Sequence, residues 1–160
     1  MSDPYTAVIT GGAKGIGAEL ALRMLEQNYT VIIIDRELSQ ISHQRLTAIN
    51  TDLLDNDAVA ETAANIAAKH QVTHFIHNAG LIWPNLIEDA KAEDITGLAQ
   101  LHLGSALTLA QAFLPAMKKR RFGRIIFNAS RALLGVRTRT AYSATKAGIV
   151  GMARTWALEL

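Results

Sequence analysis

The chain has 160 residues, 49% of them hydrophobic, which is enough for a buried core, and we expect a single domain over residues 1–160. It contains no cysteine, which excludes disulfides, thiolate catalysis and cysteine-ligated zinc and fits a reducing, cytoplasmic environment. The formal net charge of +2 argues against a strongly basic surface that binds nucleic acid. The sequence has neither a signal-peptide pattern nor an apolar run of membrane-spanning length, so we expect a soluble protein.

A glycine-rich turn follows the first apolar run, residues 6–9, and precedes a helical segment at residues 18–27. Glycine permits backbone angles that a side chain forbids and lets a phosphate approach the main chain, while the helix amino terminus attracts the anion. In this strand–turn–helix context we favour dinucleotide binding over a plain tight turn. The predicted contacts from the turn are Gly11, Gly12, Lys14, Gly15, Ile16 and Gly17.

The next apolar run, residues 29–35, is rich in β-branched residues and ends at Asp35. It is typical of a parallel strand that is buried on both faces. A carboxylate at its end can accept hydrogen bonds from ribose hydroxyls and would repel a 2′-phosphate, which favours NAD over NADP. Lys14 and Arg36 oppose this preference, because either cation can lie near a 2′-phosphate, so NADP stays possible. The alternative for Asp35 is a surface carboxylate that caps a turn.

Strands and helices continue to alternate along the rest of the chain. The residues between 36 and 44 leave little room for a helix, and Pro115 should kink or end the longest helix. The pattern predicts an α/β fold, a doubly wound, Rossmann-like parallel sheet of about five strands. The predicted segments are strand 45–50, helix 55–69 capped by Asp55 or Asn56, strand 71–77, loop 81–92, amphipathic helix 93–121, strand 124–128 and helix 139–160.

Polar and small residues follow the fourth and fifth strands, where ligands bind in such sheets. Asn78-Ala79-Gly80 can let a flat group lie against the backbone, and Ser130 can hydrogen-bond a substrate oxygen. Tyr142 and Lys146 are four residues apart on one helix, so they share a face. A lysine ammonium there can stabilise the tyrosine as phenolate for acid–base chemistry, although taken singly such a pair is more often an ordinary helix surface pair.

The glycine turn, Asn78-Ala79-Gly80, Ser130 and the segment Tyr142-Ser143-Ala144-Thr145-Lys146 resemble, in order, the motifs of the short-chain dehydrogenase/reductase family. The resemblance covers residues 7–160. It implies hydride transfer between a nicotinamide cofactor and a small-molecule carbonyl or alcohol.

The resemblance also assigns roles to particular side chains. It implies that Tyr142 is the general acid or base, that Lys146 holds the ribose hydroxyls and that Ser130 polarises the substrate oxygen. Asp52 and Leu53 match positions that flank the adenine, and Asn78, Ala79 and Gly80 match the turn beside it. Because the family commonly pairs its long helices between subunits, a homodimer or homotetramer is implied.

Two features depart from the family pattern. His102 stands where the family usually has an asparagine that completes a water-mediated proton relay to the lysine; an imidazole can anchor a water or shuttle protons, or simply pack. The family commonly continues into further strands, so we expect the carboxyl-terminal strands to be missing and the chain to be a fragment. A non-catalytic nucleotide-binding or scaffold fragment is the alternative function.

Several other side chains have two interpretations. Lys118-Lys119-Arg120-Arg121 fits the solvated end of a helix better than a nucleic-acid patch. Trp83 either lines a substrate pocket or packs over the sheet. Three arginines near the substrate side either attract an acidic substrate or are exposed loop charges: Arg131, Arg137 and Arg139. Three histidines favour surface or core packing over a metal site: His70, His74 and His77.

Overall fold

Five parallel strands form one sheet in the computed structural model, which describes residues 5–160. In chain order the strands are β1 (Thr6–Thr10), β2 (Thr30–Asp35), β3 (Leu46–Asn50), β4 (His74–His77) and β5 (Arg124–Phe127). Their spatial order is β3-β2-β1-β4-β5, so the direction of winding reverses between β1 and β4. The predicted doubly wound sheet is confirmed, and such a reversal opens a crevice at the carboxyl ends of the strands.

Five α-helices and two short helical turns connect and cover the strands. The helices are α1 (Gly15–Glu26), α2 (Asn56–Lys69), α3 (Ala92–Ala99), α4 (Ser105–Arg120) and α5 (Thr140–Glu159). A π-helical turn, Gln100–Gly104, joins α3 to α4, and a 3₁₀ turn, Arg131–Leu134, precedes α5. Within residues 5–160, every helix is too short or too polar to cross a membrane.

The central strands are mostly apolar in their middle residues because both faces of the sheet are covered. Ala7 and Ile9 of β1 pack with α1 on one face. Val8 lies on the opposite face, in a larger cluster with Phe75 of β4 and with residues of α2 and α4 that include Phe113. Side chains alternate between the faces with a period of two, so the buried residues of β1 and β2 meet helices on both sides of the sheet.

The long helix differs from the prediction in two ways. The segment predicted at 93–121 is helical, but the π turn Gln100–Gly104 interrupts it. The expectation that Pro115 might end it early is wrong, because α4 continues to Arg120. Proline removes one backbone hydrogen bond in a helix. Burial of Phe113 and Met117 on either side of Pro115 offsets that loss.

The other boundaries move by a few residues. α1 begins at Gly15 rather than residue 18, β4 begins at His74 rather than residue 71, and residues 36–44 contain no helix, as predicted. The expected cap of α2 is confirmed at Asp55, whose Oδ1 accepts hydrogen bonds from the backbone N–H groups of Asp57 and Ala58, both at 3.0 Å.

Replacing the cap should destabilise the fold measurably. Asp55→Ala leaves two first-turn N–H groups without their acceptor, and the free energy of unfolding in urea should fall by about 0.5–2 kcal/mol. Asp55→Asn retains a side-chain oxygen and should lose less. Equal losses in the two variants would contradict the capping role.

Candidate cofactor cleft and active site

The glycine turn lies against the residues that follow β4. Gly11 and Gly15 have φ angles of 65° and 59°, in the left-handed region that favours glycine. A Cβ on Gly11 would lie 2.8 Å from the Cα of Ala79. A Cβ on Gly17 would collide with the Gly11 carbonyl and lie 2.7 Å from Nδ2 of Asn78. These glycines therefore permit the backbone of β1, the start of α1 and the turn after β4 to meet.

The remaining residues of the turn have different surroundings. A Cβ on Gly12 would lie 2.8 Å from the Ile33 side chain, so this glycine is needed for packing against the sheet. Ile16 is 65% exposed. Lys14 precedes the first turn of α1, and its side chain makes no capping hydrogen bond there. The first-turn N–H groups of α1 therefore have no side-chain cap, which suits an anion.

Thr10 and Asn78 join the carboxyl ends of β1, β4 and β5. Oγ1 of Thr10 accepts hydrogen bonds from the backbone N–H groups of Asn78 and Ala79, both at 3.1 Å. Asn78 donates from Nδ2 to the Gly11 carbonyl at 2.9 Å, and its Oδ1 accepts from Nδ2 of Asn128 at 2.9 Å. Sequence reasoning missed Thr10, which ends β1 directly before Gly11. It also missed Asn128, which follows β5 two residues before Ser130.

Asp35 makes the turn-capping contacts that were its alternative interpretation. Its Oδ2 accepts from the N–H of Ala13 and its Oδ1 from the N–H of Glu37, both at 3.0 Å. Glu37 also forms an exposed ion pair with Lys14, with 2.7 Å between Nζ and Oε1. That hydrogen bond and the Lys14 charge lower the pKa of Glu37. Sequence reasoning missed Glu37, because nothing local indicates that it faces Lys14.

An open cleft runs along the carboxyl ends of β1, β2 and β4, at the reversal point of the sheet. Six of the predicted cofactor-binding residues are not among its lining residues: Gly12, Gly15, Ile16, Gly17, Tyr142 and Lys146. Glu37, Thr51, Leu81 and Leu101 line it without having been predicted. The predicted residues that line it are Gly11, Lys14, Asp35, Arg36, Asp52, Leu53, Asn78, Ala79 and Gly80.

Lys146 is buried on α5, with 3% of its surface exposed. Its Nζ donates to the Asn128 carbonyl at 2.8 Å and lies 5.7 Å from the centroid of the Tyr142 ring. Burial lowers the pKa of Lys146 to about 8. Ser130 uses Oγ to accept from the Ala132 N–H at 3.2 Å, at the start of the 3₁₀ turn. The Tyr–Lys pair thus has a buried lysine, unlike an ordinary surface pair.

His102 is fully buried in the π turn. Its Nδ1 lies 2.8 Å from Oγ1 of Thr145, and its ring meets the Tyr142 ring edge to face, with 5.6 Å between centroids. Burial, with a smaller contribution from the Lys146 charge, lowers the pKa of His102 to about 3, so the imidazole is neutral. A Cβ on Gly80 would lie 3.1 Å from His102 Nε2 and 3.6 Å from Lys146 Nζ. Gly80 therefore brings the cleft next to both nitrogens.

The side chains with two interpretations are mostly explained by packing. A Cβ on Gly97 would lie 2.8 Å from the Trp83 ring, so Trp83 packs on α3. Three members of the basic cluster occupy the last turn of α4, and Arg121 ends that helix with a φ of 54°. His70 lies at the end of α2, and His74 and His77 lie on β4. Residues 5–160 contain no group of three or more metal-ligating side chains.

The three arginines near the proposed substrate side, Arg131, Arg137 and Arg139, differ in their exposure to solvent. Arg131 and Arg137 are exposed, whereas Nη1 of Arg139 is buried without a hydrogen-bond partner among the described residues. Arg139 immediately precedes α5, the helix that carries Tyr142.

A family model described as short chain dehydrogenase matches residues 5–160. The 3-oxoacyl-[acyl-carrier-protein] reductase MabA of Mycobacterium avium is 32% identical over 158 residues, covering 97% of this chain and 61% of the relative. The (2S)-[(R)-hydroxy(phenyl)methyl]succinyl-CoA dehydrogenase subunit BbsD of Thauera aromatica is 33% identical over 165 residues, covering 96% of this chain and 66% of the relative.

A Beutenbergia cavernae protein has a similar crystal structure, with a TM-score of 0.91 and 29% identity, covering 97% of this chain and 66% of that one. It is provisionally classed as an NAD(P)-dependent gluconate 5-dehydrogenase and was solved with NADP at low occupancy. The sheet order and the glycine turn at its reversal point define a Rossmann-like α/β protein. The chain belongs to the short-chain dehydrogenase/reductase family. It spans less than two thirds of the length of the two relatives.

Gly17→Ala should disrupt the junction between the glycine turn and Asn78. The added Cβ has no room beside the Gly11 carbonyl, so the variant should lose stability and dinucleotide binding together. Gly151→Ala is the matched control, because nothing lies within 4 Å of the new Cβ on α5. The control should be stabilised by roughly 0.5–1 kcal/mol. Urea unfolding and NADH titration measure both effects, and wild-type behaviour of Gly17→Ala would contradict the geometry.

The two buried histidines should make the fold acid-sensitive. Burial lowers the pKa of His77 to about 3, with smaller contributions from Lys146 and His102, and the pKa of His102 also falls to about 3. In the unfolded chain these histidines take up protons near the ordinary histidine pKa of 6.5, whereas in the folded chain they do so only near pH 3. Stability should therefore fall as the pH falls through this window.

His102→Asn tests this linkage. It removes one such group, so its free energy of unfolding should depend less steeply on pH than that of the wild type, by about 1.4 kcal/mol per pH unit at most. Urea unfolding at several pH values between 3 and 6.5 gives the two slopes. Parallel slopes would contradict a neutral buried His102.

Proposed function

We propose that this chain carries the cofactor-binding and acid–base machinery of an NAD(P)-dependent oxidoreductase that interconverts a secondary alcohol and a ketone. The observation that carries the proposal is the buried Lys146, whose Nζ lies beside the Tyr142 ring and near Gly80, a residue that lines the cleft. The Mycobacterium avium relative is a reductase and the Thauera aromatica relative is a dehydrogenase subunit. Both names fit reversible hydride transfer.

The residues of the cleft fit a nicotinamide dinucleotide. Gly11 lines the cleft, and the uncapped amino terminus of α1 suits a pyrophosphate. Asp35 would face the adenosine ribose, and Asp52 and Leu53 would flank the adenine. The Beutenbergia cavernae neighbour, which shares this fold, holds NADP. These contacts support the predicted cofactor-binding residues as a proposal.

The bound nicotinamide would supply or accept the hydride. Tyr142 would exchange a proton with the substrate oxygen, beside the Lys146 ammonium, whose Nζ lies 5.7 Å from the ring centroid. Ser130 Oγ accepts from a backbone N–H, so its own hydrogen can be donated to the substrate oxygen. His102 would be a neutral fourth member of the site, held next to Lys146 by the π turn. Sequestering these groups from water strengthens each interaction.

The chain is proposed to bind NAD more tightly than NADP. Asp35 and Glu37 place two carboxylates at the ribose end of the cleft, and each would repel a 2′-phosphate. Lys14, the cation expected to oppose this preference, is already paired with Glu37. Arg36 also lines the cleft, so NADP remains a second cofactor of the proposal.

The proposed partners are a small-molecule carbonyl or alcohol and a second copy of the chain in a dimer or tetramer. An acidic substrate is favoured by the buried, unpaired Nη1 of Arg139 just before α5. A cytoplasmic location is proposed from the cysteine-free composition.

Tyr142→Phe tests the proposed acid–base role. Loss of the hydroxyl should lower turnover by roughly 10²- to 10⁴-fold and leave NADH affinity nearly unchanged. Tyr29→Phe is the matched control, because Tyr29 lies at the opposite end of the sheet, beside Tyr5 and His74, and should keep wild-type turnover. Steady-state rates and NADH fluorescence titrations give both quantities. Substantial activity in Tyr142→Phe would rule out this role.

Glu37→Gln tests the proposed cofactor preference. The substitution removes a carboxylate and releases Lys14 for a 2′-phosphate, so the ratio of NADPH to NADH affinity should rise by roughly two- to five-fold. Glu19→Gln is the control, because it breaks the other exposed ion pair, to Arg23 at 2.7 Å, away from the cleft. An unchanged ratio in Glu37→Gln, or an equal rise in the control, would contradict the assignment.

A further inference from the structure

One nitrogen of the buried His102 ring has no partner in the described part of the chain. Nε2 is fully buried and makes no hydrogen bond, whereas Nδ1 lies 2.8 Å from Oγ1 of Thr145. A neutral imidazole carries its hydrogen on one nitrogen only, so this contact decides what Nε2 can do. The contact with Thr145 therefore bears on whether His102 Nε2, near Lys146, carries a hydrogen or a lone pair.

The surroundings of Thr145 determine the direction of its hydrogen bonds. Its Oγ1 lies 2.9 Å from the Ala141 carbonyl and 3.1 Å from the Tyr142 carbonyl. Both carbonyls only accept hydrogen bonds, and a hydroxyl has a single hydrogen. If that hydrogen goes to either carbonyl, Oγ1 must accept from Nδ1–H of His102. In that arrangement Nε2 is left as a lone pair.

The charges around His102 favour the same tautomer. Lys146 Nζ and His102 Nε2 both face Gly80, at 3.6 and 3.1 Å from the position of its missing Cβ. A lone pair on Nε2 is attracted by an ammonium, whereas an N–H directed toward it is repelled and lacks an acceptor. The other side chains that face the ring, His77 and Tyr142, do not reverse this preference, because His77 is neutral and Tyr142 presents its ring.

We propose that Thr145 is a positioning residue that holds His102 as the Nδ1–H tautomer, so that Nε2 presents a lone pair rather than an N–H to the neighbouring Lys146 ammonium. The ammonium has three donors, of which the Asn128 carbonyl uses one at 2.8 Å. The Nε2 lone pair, which also faces Gly80, adds a favourable electrostatic partner within a buried site. For catalysis, which rests on the proposed function, this keeps Lys146 charged and oriented beside Tyr142.

The tautomer can be measured directly by two-bond ¹H–¹⁵N NMR correlation of the ¹⁵N-histidine-labelled 160-residue chain without cofactor, near pH 7. His102→Asn identifies the His102 signals by their disappearance. The expected spectrum has a protonated nitrogen at Nδ1 and an unprotonated nitrogen at Nε2. A protonated Nε2 in the wild type overturns the inference without any further variant.

Two substitutions separate the hydroxyl from the bulk of Thr145. Thr145→Ser keeps the hydroxyl and should keep the Nδ1–H signal, whereas the nearly isosteric Thr145→Val should lower the Nδ1–H population at least several-fold. The pKa of Lys146, followed through its ¹³Cε shift, should fall in Thr145→Val and return in Thr145→Ser. An unchanged tautomer in a folded Thr145→Val overturns the role of Thr145.

The outcomes separate this inference from the proposed function. The tautomer is measured without cofactor or turnover, so a chain that binds no NADH would defeat the proposed function and leave the inference standing. If Thr145→Val does not fold, the wild-type and Thr145→Ser spectra still decide, because both must show Nδ1–H.

Discussion

The close contact between the glycine turn and the residues after β4 is the constraint on which the rest of the site depends. Oγ1 of Thr10 accepts hydrogen bonds from the backbone N–H groups of Asn78 and Ala79, the first residues after β4. Because Gly11 has no Cβ, the glycine turn can touch this segment. This contact extends the connection between β1 and β4 beyond the last paired residues of the two strands, Thr10 and His77. The cleft lies where the chain segments that follow β1 and β4 separate from each other, although hydrogen bonds still join the first residues of the two segments.

A continuous series of hydrogen bonds leads from this contact to the lysine. The Gly11 carbonyl accepts from Asn78, Oδ1 of Asn78 accepts from Asn128, and the Asn128 carbonyl accepts from Lys146. Each buried polar group in the series therefore has a partner, which low-dielectric surroundings require. The ammonium stays buried because its position is fixed by the sheet rather than by its own helix alone. Hydrogen bonds therefore connect the glycine turn to Lys146 of the proposed acid–base pair. Thr145 lies on the same helix as Lys146, and its hydroxyl contacts the His102 ring.

The parts of the structure that depend on local sequence could be predicted, and those that depend on distant contacts could not. The glycine turn, the buried strands and the cap at Asp55 carry local signals, and the structure has all three. The π turn around His102 left no trace in the apolar periodicity, because one wide turn shifts the pattern by less than its normal variation. The Lys14–Glu37 pair and the His102–Thr145 contact join residues 23 and 43 positions apart. No pattern within one element indicates such pairs.

The central claim is that a nicotinamide dinucleotide binds at the carboxyl ends of the strands, over the glycine turn. The most direct measurement is a ¹H–¹⁵N NMR titration of backbone amides in the 160-residue chain with NADH. Binding should produce saturable shifts at residues 11–17, Asp35, Arg36, Asp52, Leu53 and Asn78-Ala79-Gly80, with further shifts near Lys146. Absence of shifts at millimolar NADH, or shifts centred on the opposite end of the sheet around Tyr5 and Phe122, would contradict it.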